Sequence, residues 1–254
     1  MSSFTSWVNA SMGRRLPALV VGDWQRFRRY HLLAANLLLL TVWVLATLAL
    51  TNDQLRQFIP FVLLMDSTVM NMGLIGTAIF YEKQEHTIDA ILTSPVGPDE
   101  YLCAKALTAM LNSLVNLVFI TAAIWLLKGA TLSRWVDLPP AIIVVAGLHA
   151  LVGIALTYGA KDFTAVMLRS IVYMFVIWFP GVFTLFGLIP DTVVPYLLVL
   201  PPVSAARMLA AAFSPVPSWQ VAFGYAYLLL LCAVLYAGVV KPGFHRYVVR
   251  AVGV

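Results

Sequence analysis

Charge is scarce in this chain. Only 11% of its 254 residues are Asp, Glu, Lys or Arg, against 61% that are hydrophobic, and the mean hydropathy is +0.90. A soluble domain carries roughly 25% charged residues, so this composition excludes one. Cysteine is scarcer still. Cys103 and Cys232 stand far apart at no metal-ligand spacing and read as small core residues of apolar segments. None of the five lysines follows a glycine, so there is no Gly-x-x-x-x-Gly-Lys-Ser/Thr phosphate loop and no ATP hydrolysis by that route. His-Glu-x-x-His and Gly-x-Ser-x-Gly motifs are also lacking, which removes the common zinc-peptidase and serine-hydrolase sites. The chain is expected to be no enzyme by itself, to hold no metal or cofactor, and to bind no nucleic acid.

What is present is a series of long apolar runs. They are continuous rather than alternating, which excludes a strand barrel. The expected fold is an all-α membrane protein, since a crossing helix needs about 20 apolar residues. Six transmembrane helices fit: about Leu32–Leu50, Ile59–Phe80, Tyr101–Leu127, a fourth from Pro139-Pro140 to Tyr158, Phe163–Phe186, and Trp219–Val240. Pro180-Gly181 is expected to bend the fifth, and Lys241-Pro242-Gly243 to end the sixth. Residues 1–13 read as a loose end. The following Leu16, Val20, Trp24, Phe27 and His31 share one helical face, with Arg26 and Arg29 opposite, the pattern of an interfacial amphipathic helix with arginines towards anionic lipid. Arg14-Arg15 does not make a twin-arginine signal, because Leu16–Gly22 is too short and Asp23 follows.

Residues 81–99 are the one long polar run between apolar segments. Ile88, Ile91 and Leu92 fall at helical spacing, Glu82, Glu85 and Asp89 repeat at intervals of three and four, and Ser94-Pro95 stops the helix. Gly97-Pro98-Asp99-Glu100 opens the next one, with proline in the first turn and two acids at the positive end of the helix dipole.

That order of acids, Thr87, apolar face, Pro95 and Tyr101 resembles the cytoplasmic loop of six-span, type 2 ATP-binding-cassette exporter permeases. Glu82-Lys83-Gln84-Glu85, Thr87 and Ser94-Pro95 look closest to the permeases of fluoroquinolone export, and Arg246-Tyr247-Val248-Val249 adds to this. The family's usual acid-x-acid-Gly-Thr differs here: the acids are three apart and His86 stands where glycine is common. The resemblance implies a coupling helix set in a groove of a separate ATPase subunit, through Glu82, Glu85, His86, Thr87, Ile88, Ile91, Leu92 and Pro95. It implies ATP and magnesium in that partner, and a dimer of permeases. It also implies export of amphipathic small molecules such as fluoroquinolones.

Orientation follows from the basic residues. With six spans and both termini in the cytoplasm, twelve Lys and Arg lie inside and four, Arg56, Lys128, Arg134 and Arg207, lie outside. This places the chain in the cell membrane with residues 1–31 and 241–254 inside and 32–240 spanning. Residues 187–217 are apolar but carry six prolines. Val193–Leu200 and Val203–Phe213 are each too short to cross, and are expected as a re-entrant helix pair on the extracellular side.

Three residues are candidates for the transport cavity. Asp66 lies about 10 Å along the second span, where a carboxylate costs roughly 2.5–3.5 kcal/mol and requires a partner, water or a proton. His149 is expected at a similar depth, close to Asp66 or lining the same cavity, although hydrogen bonding by neighbours would also satisfy either residue. Asn71, with Gly73, Gly76 and Thr77, gives the second span a small, polar face suited to close helix packing. Trp43, Tyr173, Phe175, Trp178 and Phe179 read mainly as lipid-packing aromatics. The alternative function is a proton-coupled transporter or channel using Asp66 and His149; an intramembrane enzyme is a third class.

Overall fold

The computed structural model describes residues 2–129 and 134–249, and the side chains of residues 1–14, Asp89, Ile91, Leu92 and His245 and those after Tyr247 lie outside what it describes. Among the described residues every regular element is helical. Helix α1 spans Ser2–Arg29, taking in the stretch expected as a loose end. Helix α2 spans Leu32–Thr47. The two are bent by 73° at His31, which takes a left-handed conformation with φ 56°, a region where histidine is several-fold enriched.

Helix α3 (Asn52–Gln84) is a single rod of 33 residues. Thr51 accepts from the Gln54 amide while Gln54 Oε1 accepts from Thr51 N–H, a reciprocal cap that starts the helix sharply. A π turn at Asp66–Met70 interrupts it. The short helix α4 (Thr87–Thr93) follows, then α5 (Pro98–Lys128), whose Glu100 carboxylate accepts from the Gly97 amide. Helix α6 (Leu138–Thr157) is the central rod, packed against α3 and α5 and buried along most of its length.

Helix α7 runs Phe163–Leu185. After it come the short α8 (Val194–Leu197) and α9 (Pro201–Ala210), then α10 (Ser218–Leu235). At about 15 Å, α9 is too short to cross a 30 Å core. Its Val203, Ser204, Ala205, Ala206 and Leu209 are nevertheless fully buried. It packs so tightly on α7 that a Cβ on Gly181 would lie 2.6 Å from the Pro202 carbonyl oxygen.

Among the described residues five helices are long and apolar enough to cross a membrane: α3, α5, α6 with its leading turn, α7, and α10 with its extension. A sixth is reached if the bent α1–α2 pair counts as one span. Helix α2 alone, with 16 residues, is about 24 Å long.

Two prolines behave alike. A π turn at Met174–Trp178 ends two residues before Pro180, and another at Tyr236–Val240 ends two residues before Pro242. In both places the wider turn accommodates the pyrrolidine ring and its missing N–H without breaking the rod. Lys241-Pro242-Gly243 therefore does not stop the last helix as expected, and α11 (Lys241–Val249) continues it. Cys103 is exposed and so is not a core residue, whereas Cys232 is half-buried and packs against the core.

Candidate functional site

Two buried polar clusters lie at different levels of the bundle. The first is at the end formed by α1, the close of α3 and the opening of α5. Along α1, Leu16, Val20, Asp23 and Phe27 follow helical spacing, so the Asp23 carboxylate falls on the apolar stripe and turns into the protein, where it is 1% exposed. Lys105 of α5 is fully buried and donates to Asp23 Oδ1 at 2.8 Å and to Glu82 Oε1. Tyr101 donates to Glu82 Oε2 at 2.6 Å. Arg26 pairs with Asp23, and its Nε lies 2.8 Å from Glu82 Oε1. The result is a neutral quartet of two carboxylates and two cations. Such a group adds little net stability over an apolar core, but removing one member strands the others.

This quartet holds the polar loop. Glu82, expected at an ATPase contact, is wholly buried, and so is Ile88 at 3% exposure. Glu85, His86 and Pro95 are exposed and Thr87 is half-buried; the side chains of Ile91 and Leu92 are outside the described residues. Helix α1 and the loop are laced together. Tyr30 donates to Glu85 at 2.9 Å, Arg29 lies 3.8 Å from the same carboxylate, and Arg15 donates to the Pro95 carbonyl at 2.5 Å. Burial and the Glu85 carboxylate push the Tyr30 hydroxyl up to about 12, so it remains a donor at neutral pH. His86 sits at φ 55°, a left-handed position ending α3, which explains why glycine suits this place.

On the other flank, Lys83 Nζ lies 4.0 Å over the Tyr247 ring. The Tyr101 and Phe244 rings stack at 5.3 Å, and Asp99 accepts from Tyr236 and Lys241 at 2.5 and 2.9 Å. The last helix is thus tied to the same end of the bundle.

The second cluster surrounds Asp66, 4% exposed at the start of the π turn. Asn116 donates to its Oδ1 at 2.6 Å and Ser113 to its Oδ2 at 2.9 Å. Asn71 donates to Ser113 Oγ at 2.7 Å, and Asn36 of α2 to Asn116 Oδ1 at 3.2 Å. No described Lys, Arg or His pairs with Asp66. His149 is satisfied elsewhere. Its Nδ1 lies 2.8 Å from the Val145 carbonyl and its Nε2 3.0 Å from the Tyr173 hydroxyl, which fits a neutral ring donating from Nδ1 and accepting at Nε2. Asp66 and Asn71 are thus joined through α5, and His149 belongs to a separate pair. Of the aromatics, Trp178 is buried and donates to Thr68 at 2.7 Å, whereas Phe175 is exposed.

The two clusters share one stripe. Tyr101, Lys105, Thr108, Asn112 and Asn116 recur at intervals of three and four on α5 and are all buried. From Lys105 to Asn116 the stripe covers about 16 Å. Lys105, Asn116 and Asp23 are not among the sequence candidates; the three-and-four spacing of polar residues on α5, and a carboxylate within an apolar stripe of α1, are the signals that could have found them.

Residues 15–252 match the fluoroquinolones export permease protein family. The chain belongs to that family. Two curated relatives, the fluoroquinolones export permease proteins of Mycobacterium tuberculosis strains CDC 1551 and H37Rv, are each 30% identical over 245 residues, covering 96% of this chain and all of the relative. No solved structure matches the permease. Its apolar helices and its family together make it a membrane permease with an export role. Both polar clusters lie within the matched residues.

Proposed function

We propose that this permease is the membrane-spanning subunit of an ATP-driven exporter, and that residues 81–99 are the loop through which a separate ATPase moves it. The observation that carries the reading is the buried quartet of Asp23, Arg26, Glu82 and Lys105. An exposed loop rooted in a neutral charge cluster, shared by α1, α3 and α5, transmits force instead of bending. Glu82 then anchors the loop from within, and Glu85, His86, Thr87 and Pro95 meet the ATPase. ATP and magnesium belong to that partner.

The rest of the arrangement follows the same reading. Helices α1 and α2 form an elbow and the first of six spans, with both termini in the cytoplasm. The pair α8–α9 forms the re-entrant element of the outer side. The sparsely buried α7 and α10 face lipid or a second permease chain, with amphipathic drugs such as fluoroquinolones as cargo. Co-purification from the native host tests this. A soluble phosphate-loop ATPase should accompany the wild type and be depleted by Glu85→Arg; if none accompanies the wild type, the exporter reading fails.

One observation favours a second reading, transport driven by protons. Asp66 is a buried carboxylate with no cationic partner among the described residues. Cargo export from vesicles that stops with an uncoupler, and not with removal of ATP, would select it.

A further inference from the structure

A groove of about 420 Å³ runs between α2 and α3, lined by Leu32, Asn36, Leu39, Val69, Gly73 and Thr77, among others. That volume lies within the range of about 300–1,000 Å³ usual for small-molecule sites. Three features distinguish it from an ordinary lipid-facing crevice.

The first is its floor. Gly73 sits inside α3 with an ordinary backbone conformation, and a Cβ added there would meet nothing within 4 Å. Glycine inside a helix is destabilising relative to alanine, and here neither a tight turn nor a close helix crossing requires it. Gly153 on the facing α6 does have such a reason, since its Cβ would lie 2.6 Å from the Met72 carbonyl oxygen. What Gly73 does is keep the floor open.

The second is charge. Asp66 opens the π turn that leads to Met70 and Gly73, shares Ser113 with Asn71, and has no cationic partner among the described residues. It is separated from the groove by Asn116 and Asn36, and Asn36 lines the groove itself. A charge one or two side chains away is felt strongly across such an apolar medium.

The third is unused acceptor capacity. Asn36 Oδ1 and Asn71 Oδ1 are buried without a hydrogen-bond partner. These are the negative ends of amide dipoles, next to a carboxylate that lacks a counter-charge.

We propose that this groove binds an amphipathic organic cation, its apolar body lying along α2 and α3 over Gly73 and its positive charge held at the Asn36 end by the field of Asp66. Shape and charge each have a part: the open floor admits the body, and the carboxylate selects the sign. The inference rests on the exporter reading only for what the bound molecule is, namely cargo. Binding itself needs no ATPase.

The test uses two ions of the same shape and opposite charge, tetraphenylphosphonium and tetraphenylborate, with the purified full chain in lipid nanodiscs. After subtraction of uptake by protein-free nanodiscs, equilibrium dialysis should give saturable binding of the cation and none of the anion. Asp66→Asn, which keeps the side-chain volume, should weaken cation binding at least tenfold. Gly73→Leu should abolish it by filling the floor, in a position with free space around it. Gly238→Leu, which adds the same bulk at an exposed glycine with equally free space, should leave binding unchanged.

Equal protein-dependent binding of the anion, or unchanged cation affinity in Asp66→Asn, would overturn the proposal. So would a Gly73→Leu variant that binds normally but changes from dimer to monomer by light scattering, since the groove would then be a contact between two copies of the chain. If an ATPase co-purifies and cation binding fails, the exporter reading stands without this site. If the cation binds and no ATPase is found, the site stands alone.

Discussion

Asn116 donates a 2.6 Å hydrogen bond to Asp66, joining the polar stripe of α5 to the one π turn of α3. This bond and that from Ser113 are what keep a carboxylate tolerable at that depth. Asn116→Leu should therefore lower thermal stability in detergent, leaving Asp66 with a single donor, a loss of about 1–3 kcal/mol or more for a charged group. Asp66→Leu/Asn116→Leu should recover much of it. A double variant as unstable as the sum of the singles would show that the two side chains do not act as a pair.

The charge quartet should respond still more steeply. Lys105→Met leaves Asp23 and Glu82 buried with only Arg26 between them, and should cost about 3–5 kcal/mol. In Glu82→Gln/Lys105→Met the cost should fall well below that of Lys105→Met alone. Thermal unfolding of the three variants followed by tryptophan fluorescence reads this directly.

At His86 the backbone rather than the side chain sets the outcome. With φ at 55°, the left-handed conformation costs an ordinary L-residue roughly 1–2 kcal/mol and is worst for β-branched ones. His86→Val should destabilise the loop and speed its cleavage by a soluble protease, whereas His86→Gly should be tolerated.

The glycines divide sharply. A Cβ at Gly153 would lie 2.6 Å from the Met72 carbonyl oxygen, so Gly153→Ala must push α3 from α6 and should cost about 1–3 kcal/mol, as overpacking does. Gly73→Ala meets open space and should stabilise by about 0.5–1 kcal/mol. Melting temperatures of the two alanine variants should move in opposite directions.

Much of this architecture could be read from the residues, and the reasons for the rest are physical. Run length and prolines located the long apolar helices, the polar loop and the two short helices near Pro201, because backbone chemistry is local, but they opened the second span at Ile59 where α3 begins at Asn52. Direction was harder. In a membrane the core and the lipid are equally apolar, so periodicity does not separate the face of α5 that meets α1 from the face that meets lipid. Glu82 belongs to an acidic run that reads as surface, and only the arrival of Lys105 and Arg26 from distant segments turns it inward. Asp66 and His149 have similar expected depths, yet depth says nothing of azimuth, and each found a different neighbour. Gly73 and Gly153 are both mid-helix glycines in sequence, and only the Met72 carbonyl beside one of them separates their roles.

Buried Lys105 has a further consequence for how the chain is made. A buried ammonium near the start of a long apolar helix is costly until its charge is answered. The two carboxylates that answer it, Asp23 and Glu82, both precede it in the chain and so leave the ribosome first. The chain's own order thus supplies both carboxylates before the third long helix arrives.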